Sequence, residues 1–212
     1  MSHAVVPERA TYRHGDLART LVEIATELAR EGGPDAVVLR EVTRRAGVSP
    51  NAAYRHFASR EQLLAVVCDA AQAALAAAIE HEQGEVELSG DRAADARALF
   101  RAVGTGYVRF ARAEPGLFRT AFRVPADLAD RAAPARSAVT GRTPFQLLEH
   151  ALDGLVAAGT LAPERRPGAE FLAWSAVHGL ATLLIDGPLR ALPDAEAREV
   201  ARRVAAMVDS GL

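Results

Sequence analysis

The sequence predicts an all-α protein, and three observations predict it. Apolar residues recur every three to four positions over long stretches, no segment alternates apolar and polar residues with period two, and proline and glycine cluster between the apolar stretches. With 212 residues, half of them apolar, the chain is long enough for one large or two small domains with a sizeable core.

Leu17, Leu21, Ile24 and Leu28 place a first helix after His14-Gly15-Asp16, with Asp16 near its positive end and Gly32-Gly33-Pro34 as its stop. Leu39, Val42 and Ala46 carry a shorter second helix that ends at Gly47, in a left-handed turn that a β-carbon would resist. Ser49 as N-cap and Pro50 at the first helical position restart the helix at once, and this third helix is expected to run to about Phe57. Ser59 begins a long fourth helix, with Leu64, Val67, Ala71 and Leu75 along one face. After a polar, Gly-containing break at 83–90, four or five more helical segments follow, separated by Pro115, by Pro125 to Pro144, by Pro163 to Pro167 and by Pro188 to Pro193. The expected organisation is a flexible arm over 1–11, a small three-helix module over 12–58 and a helical body over 59–212.

Charge separates the two parts. All the basic side chains are arginine, and the formal net charge is −2. Residues 36–60 alone carry +4, while residues 61–212 carry −4. A small basic patch on a mildly acidic body fits a polyanion-binding module joined to something else. Cys68 is the single cysteine and has no Cys or His neighbour at zinc-ligand spacing, so no disulfide, metal or cofactor is expected. No run of roughly 18 apolar residues free of charge occurs, and the first residues lack a basic stretch followed by an apolar core. Neither a membrane span nor a signal peptide is expected, and cytoplasmic residence is.

Two short helices joined by a tight glycine turn form a helix-turn-helix, whose second helix can enter the DNA major groove. In that helix Ala53 and Phe57 face the core with Val48, while Asn51, Ala52 and Arg55 point away. Asn51 can pair bidentately with adenine, Arg55 can reach guanine or a phosphate, and the Ala52 methyl can touch thymine. Tyr54, His56 and Arg60 lie to the sides, where phosphates would pass. The plainer reading is a solvated helix pair with surface arginines. It leaves the joint spacing of glycine, cap, proline and side-facing donors unexplained.

The stretches "YRHGDLARTLVEIATELAREGG" and "LREVTRRAGVSPNAAYRHFASREQLL" resemble the DNA-binding domain of the TetR family of bacterial transcriptional repressors, across residues 12 to about 65. The resemblance implies that Arg40, Pro50, Asn51, Ala52 and Arg55 lie near bases, and that Tyr54, His56 and Arg60 hold phosphates. With Ser49 they make up the expected DNA-contacting set. Two positions depart from the family pattern: Val38 and Leu39 stand where Ser or Thr is usual before the second helix, and Ala53 is smaller than the usual Leu. Further on, "FLAWSAVHGLATLLIDG" resembles a C-terminal type with a Trp-His-Gly signature, here Trp174, His178 and Gly179, and "AEPGLFRTAF" fits the same type. The resemblance implies a homodimer formed through the last two helices and a small-molecule effector held inside the body.

The residues themselves favour a second subunit. Phe171, Trp174, His178, Ala181 and Ile185 form one helical stripe and Leu172, Ala176, Leu180 and Leu183 another, so this helix needs cover on two sides. The final helix presents Ala197, Val200, Val204 and Met207 on one face. Cys68, Phe100, Tyr107, Phe110, Phe118, Phe145 and Trp174 are the expected walls of an effector cavity. His178 joins them, although a hydrogen-bonded core role is the commoner one for such a histidine. His150 with Asp153 and His178 with Asp186 fall in no nucleophile-elbow or metal pattern, so no enzyme is expected. The reading is an all-α regulator: an N-terminal three-helix helix-turn-helix DNA-binding domain, then a helical ligand-binding and dimerisation domain. Its partners would be double-stranded operator DNA, an unknown small molecule and a second copy, with no membrane. An activator, or an architectural DNA-binding protein without an effector, is the alternative.

Overall fold

A computed structural model describes residues 14–123 and 139–212. The expected arm over 1–11, and most of the break from Pro125 to Pro144, lie outside the described residues. Among the described residues the chain is all α, with no strand. Its helices are α1 (His14–Gly32), α2 (Leu39–Ala46), α3 (Pro50–Tyr54), α4 (Arg60–Gly84), α5 (Arg92–Ala113), α6 (Pro115–Ala121), α7 (Pro144–Ala157), α8 (Ala169–Ile185) and α9 (Asp194–Gly211).

The first turn between helices is held from a distance. Gly33 takes the left-handed φ of 75° that lets α1 stop, and a short 3₁₀ turn over Pro34–Ala36 leads to α2. Arg60, the first residue of α4, donates from Nε to the Val37 carbonyl and from Nη2 to the Pro34 carbonyl, both at 2.7 Å. Its guanidinium therefore adds to the Val37 N–H bond on the Pro34 carbonyl and supplies a donor to the Val37 carbonyl. At the next turn Gly47 is left-handed, its N–H bonded to the Arg44 carbonyl and the Val48 N–H to the Thr43 carbonyl, which is the Schellman closure of α2. Val38 offers α2 no side-chain cap, as its residue type requires. Ser49 makes no side-chain cap bond to α3 either, leaving Pro50 at N1 as the local helix signal. The third helix is shorter than expected: it stops at Tyr54, and the His56 and Phe57 N–H groups both turn onto the Ala53 carbonyl. Leu21, Ala25, Leu28, Val37, Leu39, Val42, Ala53 and Phe57 fill the core of this module.

Ser59 caps α4 as expected, its hydroxyl accepting from the Gln62 N–H. In length and composition α4 would suffice to cross a membrane, but it is the central core helix, packed by α1, α5, α6 and α7, with Leu63, Val67, Ala71, Leu75 and Ile79 buried. In the body α5 packs against α4, α7, α8 and α9. The Asp209 carboxylate of α9 is buried there, and accepts from Arg97 at 2.5 Å and Arg101 at 2.8 Å on α5. A complete capping box, Thr143 with Gln146, starts α7.

Two faces differ from the sequence reading. On α8, Leu180 is buried while Leu172, Phe171 and Leu183 are exposed, so the outer face runs through Leu172, Ser175, Gly179 and Leu183 and not through Leu180. On α9 the buried stripe is Ala197, Ala201 and Ala205, and Met207 points outward, 63% exposed. Alanines fill the inner face because α9 lies close to α5 and α8, leaving little depth for a longer side chain.

The junction between module and body is tightest at Gly116. A β-carbon there would lie 2.3 Å from the carbonyl oxygens of both Ala29 and Arg30 at the end of α1, and beside it Arg30 donates to Glu114 at 2.9 Å. Gly116→Ala is therefore expected to lower unfolding free energy by about 1–3 kcal/mol, measured by denaturant titration. Gly154→Ala on α7, where nothing lies within 4 Å, should leave it unchanged or raise it. Arg60→Ala should cost about 1–2 kcal/mol in the same titration through its two lost charge-assisted bonds.

Candidate nucleic-acid interface and cavity

The helix-turn-helix presents most of the expected DNA-contacting residues on its outside. Arg40, Ser49, Pro50, Asn51, Tyr54 and Arg55 are exposed, while Ala52, His56 and Arg60 are partly covered. The Gly47 turn and the burial of Ala53 and Phe57 decide this: with those two side chains in the core, Asn51 and Arg55, one helical turn apart, share the outer side.

The arginines are not equally available. Arg44 makes a bidentate pair with Glu41 through bonds of 2.7 and 2.6 Å, and Arg45 reaches Glu41 at 3.0 Å and holds Glu31 of α1 bidentately at 3.0 and 2.8 Å. The hydrogen bond from Arg44, then that from Arg45, lower the pKa of Glu41 to about 2. Arg60 was expected at a phosphate; two of its nitrogens instead hold the turn before α2, because its position at the start of α4 brings it against those carbonyls. Arg40 and Arg55 have no ion-pair partner among the described residues. The local excess of +4 counted along the chain therefore comes down to two unpaired cations beside Asn51 and Tyr54.

A cavity of about 350 Å³ lies in the body, between α4, α5, the end of α6, α7, α8 and α9. Phe100, Tyr107, Phe145, Trp174 and His178 line it, as the sequence reading placed them. Cys68, Phe110 and Phe118 do not. Cys68 packs in the core one turn before Gln72, which is where α4 meets the cavity. Phe110 lies beyond the cavity's end, past the lining run Phe100, Val103, Gly104 and Tyr107, whose spacing is that of one helix face. Phe118 stands behind the wall, edge-on to Tyr107 at 5.3 Å and to Phe122 at 5.3 Å. Sequence reasoning missed Gln72, Phe122 and Ser175. The same helical spacing along α8 could have found Ser175, three residues before His178.

The Trp-His-Gly signature has a physical role at this wall. Trp174 Nε1 donates to the Tyr107 hydroxyl at 3.2 Å, and that hydroxyl is 2.7 Å from His178 Nδ1. An indole N–H can only donate, so the hydroxyl accepts there, and His178 Nδ1 is placed to take the hydroxyl's own proton. Burial lowers the His178 pKa, which keeps the ring neutral. A neutral imidazole that accepts at Nδ1 carries its proton on Nε2. Gly179 does not belong to this group: it lies on the exposed face of α8, with nothing within 4 Å of where a β-carbon would be.

Comparison with known proteins agrees with this arrangement. The family model "Bacterial regulatory proteins, tetR family" matches residues 21–67, and the model "Tetracyclin repressor-like, C-terminal domain" matches residues 100–208. The HTH-type transcriptional repressor Rv3405c of Mycobacterium tuberculosis is 31% identical over 94 residues, 43% of this chain and 49% of that protein. The chain thus spans about half the length of the curated relatives it matches. A solved structure of a protein of unknown function from Rhodococcus sp. RHA1 superposes with a TM-score of 0.71 at 29% identity, covering 96% of this chain and 99% of that one. The TetR family transcriptional regulator PfmR from Thermus thermophilus shares the fold, with a TM-score of 0.55 at 22% identity over 91% of this chain and 98% of that one. With an N-terminal helix-turn-helix and a C-terminal helical body each matched by its own model, the chain belongs to the tetR family of bacterial regulatory proteins.

Proposed function

We propose that the chain is a homodimeric transcriptional repressor that reads double-stranded operator DNA with α3 and leaves it when a small molecule fills the cavity. The observation that carries the DNA reading is the outer side of the helix-turn-helix, where Asn51 and Arg55 stand one turn apart with Arg40 and Tyr54 exposed beside them. Asn51 and Arg55 are the base readers, and Tyr54, His56 and Ser49 position the phosphate backbone. The printed name of the Mycobacterium relative, a repressor, supports the sign of regulation.

Dimerisation uses the outer side of α8 with α9. Leu172 at 65%, Phe171 at 44%, Leu183 at 43% and Met207 at 63% exposure are large apolar side chains without cover in a single chain. A second copy covers them and sets two α3 helices at the spacing that two half-sites need.

Release works through two connections from cavity to module. Gln72 on the cavity wall is twelve residues along α4 from Arg60, about 18 Å. Phe122 on the same wall ends the segment whose other end, Gly116, rests on the last carbonyls of α1. A ligand that fits the cavity in only one arrangement of α4 and α6 shifts the module by its difference in affinity for the two arrangements.

Asn51→Ala should relax preference at one base pair per half-site by about 1–3 kcal/mol, read from binding to operator variants selected by the purified protein. Arg55→Ala should flatten the salt dependence of binding by about one unit of slope per subunit contact if it touches phosphate, or relax base preference if it touches guanine. Full wild-type preference in both variants would exclude this docking of α3. In sedimentation, Leu172→Arg should shift the wild-type pair of 22.5 kDa chains toward monomer; a wild-type monomer at micromolar concentration would exclude the dimer.

A further inference from the structure

We propose that the cavity takes an uncharged, ring-bearing molecule whose carbonyl-type oxygen is received by the Nε2–H of His178. The proposal rests on the reading that this cavity is the effector site, and it adds the chemistry of the effector.

No Arg, Asp or Glu is among the described residues that line the cavity. Among these residues a carboxylate or ammonium would find no counter-charge to offset its lost hydration. The polar groups are few and particular. His178 has its Nδ1 engaged by Tyr107, and its Nε2 has no partner among the described residues. Gln72 already spends an amide N–H on the Ala121 carbonyl at 3.0 Å. Ser175 stands at the rim, where the cavity meets the exposed side of α8.

The Trp174–Tyr107–His178 relay argues further against an anionic ligand. A carboxylate would favour imidazolium, whose Nδ1–H removes the acceptor that the Tyr107 hydroxyl proton has in the neutral ring. A carbonyl asks only for the donor already present. The rest of the wall is aromatic, with Trp174 between Phe122 at 6.1 Å and Phe145 at 6.0 Å, so a ring finds edges and faces to pack on. A volume of about 350 Å³ is at the small end for a ligand site and suits a compact molecule over a long chain.

Three matched probes test this: 1-tetralone, the same bicycle without oxygen (tetralin), and 1,2,3,4-tetrahydro-1-naphthoate. Trp174 is the sole tryptophan, so its fluorescence reports the cavity directly, with calorimetry as the second measure. The ketone should bind about tenfold more tightly than either relative, as one hydrogen bond without a desolvated charge would give. His178→Leu should bring the ketone down to the level of tetralin while tetralin binding persists, which also shows that the variant is folded. If His178→Leu does not fold, Tyr107→Phe carries the test: by freeing Nδ1 it should erase part of the ketone's advantage. A carboxylate that binds as well as the ketone, a ketone no better than tetralin, or no binding of any probe at about 1 mM overturns the proposal. Ketone binding that leaves operator affinity unchanged in a gel shift supports this ligand chemistry and overturns release by an effector.

Discussion

The carbonyl oxygens of Ala29 and Arg30 meet the backbone of Gly116 so closely that a methyl group has no place between them. This contact fixes how the DNA-facing module sits on the body. α6 is only seven residues long, so a displacement at its Phe122 end cannot be absorbed along its length before it reaches α1. The Arg30 to Glu114 pair lies at the same spot and gives the contact a direction as well as a distance. α4 supplies the second fixed point through Arg60. The body and the module are thus joined at two places, by close packing at Gly116 and by the charge-assisted bonds of Arg60.

Electrostatics and folding compete for the same arginines. Arg44, Arg45 and Arg60 serve the module's own structure, by pairing with Glu41 and Glu31 or by closing a turn. Exposed pairs of this kind add little stability individually. Their effect is to orient α1 against α2 and to leave Arg40 and Arg55 as the cations available to a partner. With Glu41 and Glu31 facing Arg44 and Arg45, the net positive charge of the module is smaller than residues 36–60 alone suggest.

Much of this was legible in the sequence because the signals are local. Gly47, Pro50 and Ser59 announce their turns and caps by residue type, and the periodic apolar residues of α1 and α4 fix their inner faces. The cavity was legible in part: Phe100, Tyr107, Phe145, Trp174 and His178 share it, since aromatic residues at helical spacing mark an inner face. Whether an inner face meets a void or a neighbour depends on how helices cross, which no single-helix pattern contains. Cys68, Phe110 and Phe118 are inner-face residues that meet neighbours. The two bonds of Arg60 to the turn before α2 were not legible for the same reason, as the carbonyls lie more than twenty residues away. Leu180 changed sides because α8 is apolar nearly all round, and a pattern without a polar face gives no phase; on α9 the small alanines Ala197, Ala201 and Ala205 take the inner face and leave Met207 outside.

The brevity of α3 has its own consequence. Five residues make barely more than one turn, far below the length at which a helix holds itself together in water. Its shape is borrowed from the closure of α2 on one side and, only five residues beyond its end, from the first turn of α4 on the other. A change at either neighbour therefore reaches α3 directly, since the segment has no hydrogen-bond ladder of its own long enough to resist it.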